Sequence, residues 1–337
     1  MDTAIVILNW NGLKMLQTYL PLLKARTTGC GAFLVVADNG STDGSVAWLR
    51  EQHPDIRLLC FDRNYGFTGG YNRALREIDA DYYVLLNSDV EVTDGWLEPL
   101  IGFLEENPDA GICQPKVRSV AERDRFEYAG AAGGFIDRFG YPFCRGRILS
   151  NLEKDTGQYD DPVECFWATG ACMVVRSALY HHLGGLDESF FAHMEEIDFC
   201  WRAKLLGYQV WCVPASTVFH VGGGTLPNNS PRKLYFNYRN NLLMLRKNLP
   251  DRIRKRRIFL RMGLDGASAV AYLLTGRWSY FKAVWTAHRD FRRMRQDFDP
   301  SPFEEERNNI GLYDKSIVLR FFLSGKRLRW SDIERDL

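Results

Sequence analysis

The sequence predicts an α/β fold with a central, mostly parallel sheet, followed by a helical C-terminal extension. Three observations lead there. Short apolar runs of strand length recur through residues 4–115, separated by segments with helical spacing. That alternation is the pattern of parallel strands joined by crossover helices. The run Tyr82-Tyr83-Val84-Leu85-Leu86 is apolar or aromatic throughout, as a strand covered on both faces must be. From Pro231 onward the spacing is helical to the end, with breaks near Gly276, Pro300 and Pro302.

The elements follow in order. Residues 4–8 make the first strand, and a helix runs through Leu13, Leu16, Tyr19, Leu20 and Leu23. Residues 33–37 form the second strand, and a helix starts at Ser45. The third strand is 57–60, the next helix 67–78 and the fourth strand 82–86. Residues 126–160 are rich in Gly, Pro and aromatics with poor periodicity, which reads as loops or a short hairpin near a ligand. Strand character returns over 163–176 and again over 209–213, with a helix over 196–206 between them. We expect a catalytic domain over 1–228 and a helical, basic extension over 229–337.

Composition is that of an ordinary globular protein, 46% hydrophobic and 25% charged, with a high aromatic share of 13%. The eight cysteines contain no C-x-x-C pair, so they read as free thiols in a reducing compartment. Met1-Asp2-Thr3 enters a strand directly without a leader pattern, and no run reaches the roughly 18 apolar residues of a spanning helix. A cytoplasmic location is the expectation. The net charge of +1 hides an asymmetry: over 251–296 basic residues outnumber acidic ones four to one.

The carboxyl ends of the four strands carry the chemistry, because ligands of open α/β sheets collect there. They read Asn9-Trp10-Asn11-Gly12, then Asp38-Asn39-Gly40-Ser41-Thr42-Asp43, then Asp62-Arg63-Asn64-Tyr65-Gly66, then Asn87-Ser88-Asp89. Neither G-x-G-x-x-G nor G-x-x-x-x-G-K-[ST] is present, which excludes the usual dinucleotide and P-loop grips. A nucleotide held without either loop needs a hard cation to balance its diphosphate. Asp89 is placed for that role.

These pieces together resemble the family 2 glycosyltransferases, which have the GT-A (nucleotide-diphospho-sugar transferase) fold. The matching stretches are ILNWNG, VVADNGSTDGS, NYGFTGGYNRAL, VLLNSDVEV and GGLDESFFAHMEEIDFCWRA, in the family's order over roughly 1–225. The likeness is greatest to the bacterial rhamnosyltransferases and other polysaccharide-assembly enzymes. It implies nucleotide contacts from Asn9, Asp38, Asn39, Arg63 and Asn64. Asn87-Ser88-Asp89 stands at the family's D-x-D, with Asn87 replacing the first acid and Asp89 left as the principal ligand of Mg²⁺ or Mn²⁺. Glu91 is the alternative, as part of an Asp89-Val90-Glu91 pair.

The family's E-D-x-D stretch is here Glu195-Glu196-Ile197-Asp198, so Glu195 or Glu196 is the expected base that takes the acceptor's hydroxyl proton. Asp198 orients the helix or a neighbouring Arg. His220, before Gly222-Gly223-Gly224, implies a second metal or diphosphate contact. Asn72, Asn87, Asp198 and Arg239 fall among donor and acceptor contacts. Trp167 suits stacking on a sugar ring and core packing equally.

The implied reaction is inverting transfer from a UDP- or dTDP-sugar to a hydroxyl of a glycan or lipid-linked acceptor in cell-surface polysaccharide assembly. The Q-x-x-R-W motif of processive synthases is absent, so single additions are expected. One rival, a sugar-phosphate nucleotidyltransferase, needs a Gly-rich loop with Arg and Lys after the first strand, which ILNWNG lacks. The other is a non-catalytic nucleotide-binding scaffold of the same fold. In the extension, DRIRKRRIFLRM suits either an interfacial helix on anionic lipid or a solvated helix packed on the body. No nucleic-acid recognition motif accompanies the charge.

Overall fold

The computed structural model describes residues 2–222, 230–296, 298 and 311–336. Gly223, Gly224, Pro300 and Pro302, noted in the sequence, lie outside them.

The first half alternates as expected: β1 (Thr3–Asn9), α1 (Leu13–Thr27), β2 (Ala32–Asp38), α2 (Ser45–Gln52), β3 (Arg57–Cys60), α3 (Gly66–Arg76) and β4 (Tyr82–Leu86). A short β5 (Val90–Val92), α4 (Glu98–Glu106) and β6 (Ala110–Ser119) follow. The segment expected as loops or one hairpin is instead a second small sheet of four antiparallel strands. These are β7 (Gly134–Ile136), β8 (Pro142–Cys144), β9 (Arg147–Ile148) and β10 (Asn151–Leu152). Strands of two or three residues leave no periodicity in a sequence, which is why they were not legible.

The chain then forms β11 (Val163–Cys165), β12 (Cys172–Arg176), α5 (Ser177–His182), α6 (Glu195–Leu205) and β13 (Gln209–His220). The helices α7 (Pro231–Asn248), α8 (Asp251–Leu274), α9 (Trp278–Met294) and α10 (Ile317–Leu323) complete it.

The main sheet runs β11-β13-β6-β12-β4-β1-β2-β3, with β5 added to β13. Strands β1 to β4 pair in parallel, as do β6 and β13, while β12 is antiparallel to both its neighbours. The carboxyl ends of β1, β2, β4, β6 and β13 therefore lie along one edge. Alternation along each strand divides the core between two faces. Ala4, Val6, Tyr83 and Leu85 meet Tyr71 and Leu75 of α3 on one face. Ile5, Ile7, Val84 and Leu86 meet Leu16, Leu20, Leu100 and Leu104 of α1 and α4 on the other.

Candidate active site

Three groups of side chains meet at that edge. The first joins β1 and β2, whose register places Asn9 beside Asp38. Asn9 Nδ2 donates to Asp38 Oδ2 at 2.8 Å and to Ser41 Oγ at 3.2 Å, and Ser41 N donates to Asp38 Oδ1 at 2.8 Å. Asn39 Oδ1 accepts from Tyr65 N, while its Nδ2 donates to Asn64 Oδ1 and to the Gly66 carbonyl. The loop after β2 is thus locked onto the segment after β3. Arg63 is exposed on that segment, its guanidinium 4.8 Å from the Tyr65 ring. Asn9 Oδ1 is buried without a partner, an acceptor left open at the crevice.

The second group forms where β4 ends. Pairing of β5 with β13 sets His220 opposite Val90, and Val221 N donates to the Asp89 carbonyl at 3.1 Å. His220 Nε2 comes to 3.2 Å from Asp89 Oδ1, and Nδ1 lies 3.6 Å from Glu127 Oε2. Burial disfavours the imidazolium, but the two carboxylates more than offset this and push the His220 pKa up to about 10. Asn87 is half-buried beside them, its N–H donating to the Ala171 carbonyl. Glu91 points elsewhere: Arg123 binds its carboxylate at 2.9 and 3.1 Å, and Arg26 approaches to 3.7 Å.

The third group heads α6. Phe191, His193 and Met194 have φ of 65°, 69° and 73°, a left-handed run that costs energy in non-glycine residues and concentrates at functional sites. The run delivers Glu195 and Glu196, each with a buried Oε2 that has no hydrogen-bond partner. Burial holds both carboxyls above the ordinary glutamate range, Glu196 at about 7.

The carbonyls of this turn are held from α7. Asn240 Nδ2 donates to those of Phe190, Ala192 and His193 at 2.7–3.0 Å, and Arg239 donates to Ser189 and Phe190. Phe67 N donates to the Phe191 carbonyl at 2.8 Å. Gly66 permits this contact: at φ 75°, a Cβ there would sit 2.6 Å from the Phe191 ring.

Lys233 of α7 is half-buried, and burial lowers its pKa against the pull of the Glu127 and Glu196 charges. The structure thus gathers Asn9, Asp38, Asn39, Arg63, Asn64, Asn87, Asp89, Glu195, Glu196 and His220 along one edge. Four residues have other partners. Asn72 is spent on Tyr180, on the Leu186 backbone and on Glu188. Arg239 is spent on the α6 turn. Asp198, expected among the donor and acceptor contacts, is instead fully buried between Arg202, Lys247 and Asn248. Trp167 is 3% exposed, packed on Gly134, with Nε1 donating to the Phe135 carbonyl. Core packing, one of its two readings, accounts for that ring and leaves no face for a sugar.

Glu127 and Lys233 were missed. Glu127 stands alone as an acid within residues 125–136, and an isolated acid in a glycine-rich run was the signal available.

Asp89 and His220 fit a divalent cation that takes one or two protein ligands and completes its shell from phosphate and water. Their convergence at 3.2 Å is the observation that supports the fit. No group of three or more such ligands exists among the described residues.

The family model described as glycosyl transferase family 2 matches residues 4–184. The chain is a family 2 glycosyltransferase. It is 28% identical over 202 residues to an N-acetylglucosaminyl-diphospho-decaprenol L-rhamnosyltransferase of Mycobacterium tuberculosis. That match covers 56% of this chain and 66% of the relative, just short of two thirds of its length. Among solved structures, S. aureus TarS 1-349 in complex with UDP-GlcNAc superposes with a TM-score of 0.55 at 15% identity, over 94% of this chain and 93% of that one. The mannosyltransferase PcManGT of Pyrobaculum calidifontis, in complex with GDP-Man and Mn²⁺, gives 0.52 at 13%, over 87% and 86%. These likenesses place the family 2 chain in the GT-A fold.

Proposed function

We propose that this chain transfers a sugar from a nucleotide-diphospho-sugar to a hydroxyl of a glycan or lipid-linked acceptor, with inversion and one residue at a time, in polysaccharide assembly. The observation that carries it is the head of α6, where Glu195 and Glu196 each bury an oxygen without a hydrogen-bond partner, together with the Asp89–His220 pair at the end of β4. The UDP-GlcNAc and GDP-Man bound in the structural neighbours support a nucleotide-sugar donor, which we read as UDP- or dTDP-linked. The relative's lipid-diphospho substrate supports the acceptor class.

In this reading Asp38, Asn39 and Asn9 receive the nucleoside, and Arg63 closes over it. Asp89 and His220 hold Mg²⁺ or Mn²⁺, which when bound neutralises charge on the departing diphosphate. Glu196 takes the acceptor proton as that oxygen attacks the anomeric carbon, while burial and the charge of Glu196 keep Glu195 protonated. Residues 1–228 carry the chemistry, and 229–337 carry the acceptor side.

The test is calorimetric titration with UDP-, dTDP- and GDP-sugars, with and without Mn²⁺, on the wild type and Asp89→Ala. Metal-dependent binding of one nucleotide class, lost in the variant, is expected. Failure of every nucleotide to bind overturns the reading. Binding without donor consumption, across a panel of acceptors, returns the scaffold alternative.

A further inference from the structure

The α8–α9 hairpin has an outer surface that its own chain does not explain. Along α9 the exposed stripe is Trp278, Lys282, Trp285, Arg289 and Arg292, spaced four and three residues apart. Its inward stripe is Ala283, Val284, Ala287 and Phe291. Along α8, Phe259, Val270 and Leu274 share the outer stripe, while Arg254, Ile258, Arg261, Asp265 and Ala269 face in. Trp278 is 61% exposed, Trp285 66%, Phe259 76% and Leu274 82%.

The charge and the apolar area are not mixed at random. The hairpin brings the exposed Arg252, Lys255 and Arg256 at the start of α8 to the same end as Arg289, Arg292 and Arg293 at the close of α9. The opposite end, around the turn, presents Val270, Leu274 and Trp278. Scattered exposed apolar residues are ordinary, but a cluster graded into cations on two adjacent helices is not.

We propose that this hairpin docks on the interface of an anionic lipid bilayer. Tryptophan sits preferentially at the headgroup level, and arginines beside it meet anionic headgroups. No helix among the described residues is long and apolar enough to cross a membrane, so the hairpin lies on the surface.

The position relative to the site gives docking a purpose. Tyr272, Arg277 and Tyr280 at the hairpin turn line a cavity of about 290 Å³ together with Lys233, the residue whose charge reaches Glu196. An acceptor rooted in the bilayer would enter beside the turn and reach the glutamates past Lys233. This last step rests on the proposed transferase reading; the docking does not.

The test is co-sedimentation of the intact protein with vesicles of phosphatidylcholine alone and of phosphatidylcholine with phosphatidylglycerol. Binding to the anionic vesicles, weakened by high salt, is expected. Trp278→Ala/Trp285→Ala and Arg289→Glu/Arg292→Glu should each weaken it about tenfold, with nucleotide-sugar binding by calorimetry unchanged as the check on folding. Absence of anionic-vesicle binding, or binding by both variants as tight as that of the wild type, overturns the proposal. So does gel filtration showing a dimer that Trp278→Ala/Trp285→Ala dissociates, which would assign the face to a second copy. Vesicle binding is read without turnover, so its failure and the failure of the transferase reading are separate results.

Discussion

Glu196 carries the sharpest residue-level expectation. A base must be ionised to accept a proton, and burial holds this carboxyl at about 7. Activity should therefore rise with pH through about 7 and fall away below it, as the protonated form takes over. A pH profile of kcat that levels only near pH 5 would move the role elsewhere. Glu196→Gln should lower kcat by about 10²- to 10⁴-fold and leave donor affinity in place, measured by donor consumption alongside calorimetry. Glu127 makes a different prediction. Its carboxylate lies 3.6 Å from the far ring nitrogen of His220, beyond hydrogen-bond reach, and acts on the ring through its charge. Glu127→Gln should weaken Mn²⁺ binding about 10- to 100-fold, read by calorimetry in the presence of UDP.

At the scale of elements, α6 and the turn before it are held by contacts that are costly to break. Asp198 lies between Arg202 and Lys247 with no exposure. Burial alone would raise its pKa, but the two cations and Asn248 hold it below the ordinary aspartate value. A depressed carboxylate stabilises the fold above its unfolded pKa, and that stability is lost as pH falls through the folded value, below 3.8. Asp198→Ala leaves the buried Arg202 without its carboxylate, although Lys247 keeps Asp187, and should cost about 3–5 kcal/mol in urea unfolding. Gly66→Ala should cost about 1–3 kcal/mol through its left-handed backbone and the Phe191 ring in its way. A Tm unchanged in Gly66→Ala would show that the turn relaxes freely.

For the molecule as a whole, the sequence was most legible where strands were long. The β1–β4 repeat was read from apolar runs, and the polar strand ends marked the edge where Asp38, Asp89 and His220 now sit. Partners set by distant chain were not legible. Asn72 has the polarity of a contact residue, yet its amide is used up on a loop more than a hundred residues away. Trp167 and Asp198 look alike in a sequence whether they face a ligand or the core, and only packing separates them. The helical tail was read correctly in type. The exposure of Trp278 and Trp285 in α9 was not legible, because a tryptophan at helical spacing looks the same in a sequence whether it faces core or solvent.

The amide of Asn240 donates to three consecutive-turn carbonyls in front of Glu195. That single side chain makes the composition boundary near residue 229 a poor place for a splice. A chimera joining this sheet to another enzyme's tail would leave those carbonyls open and the turn free to unwind, whatever the sheet still bound. Recombination within the family, by nature or at the bench, should therefore succeed only when residues 189–196 and α7 travel together, as one inherited cassette.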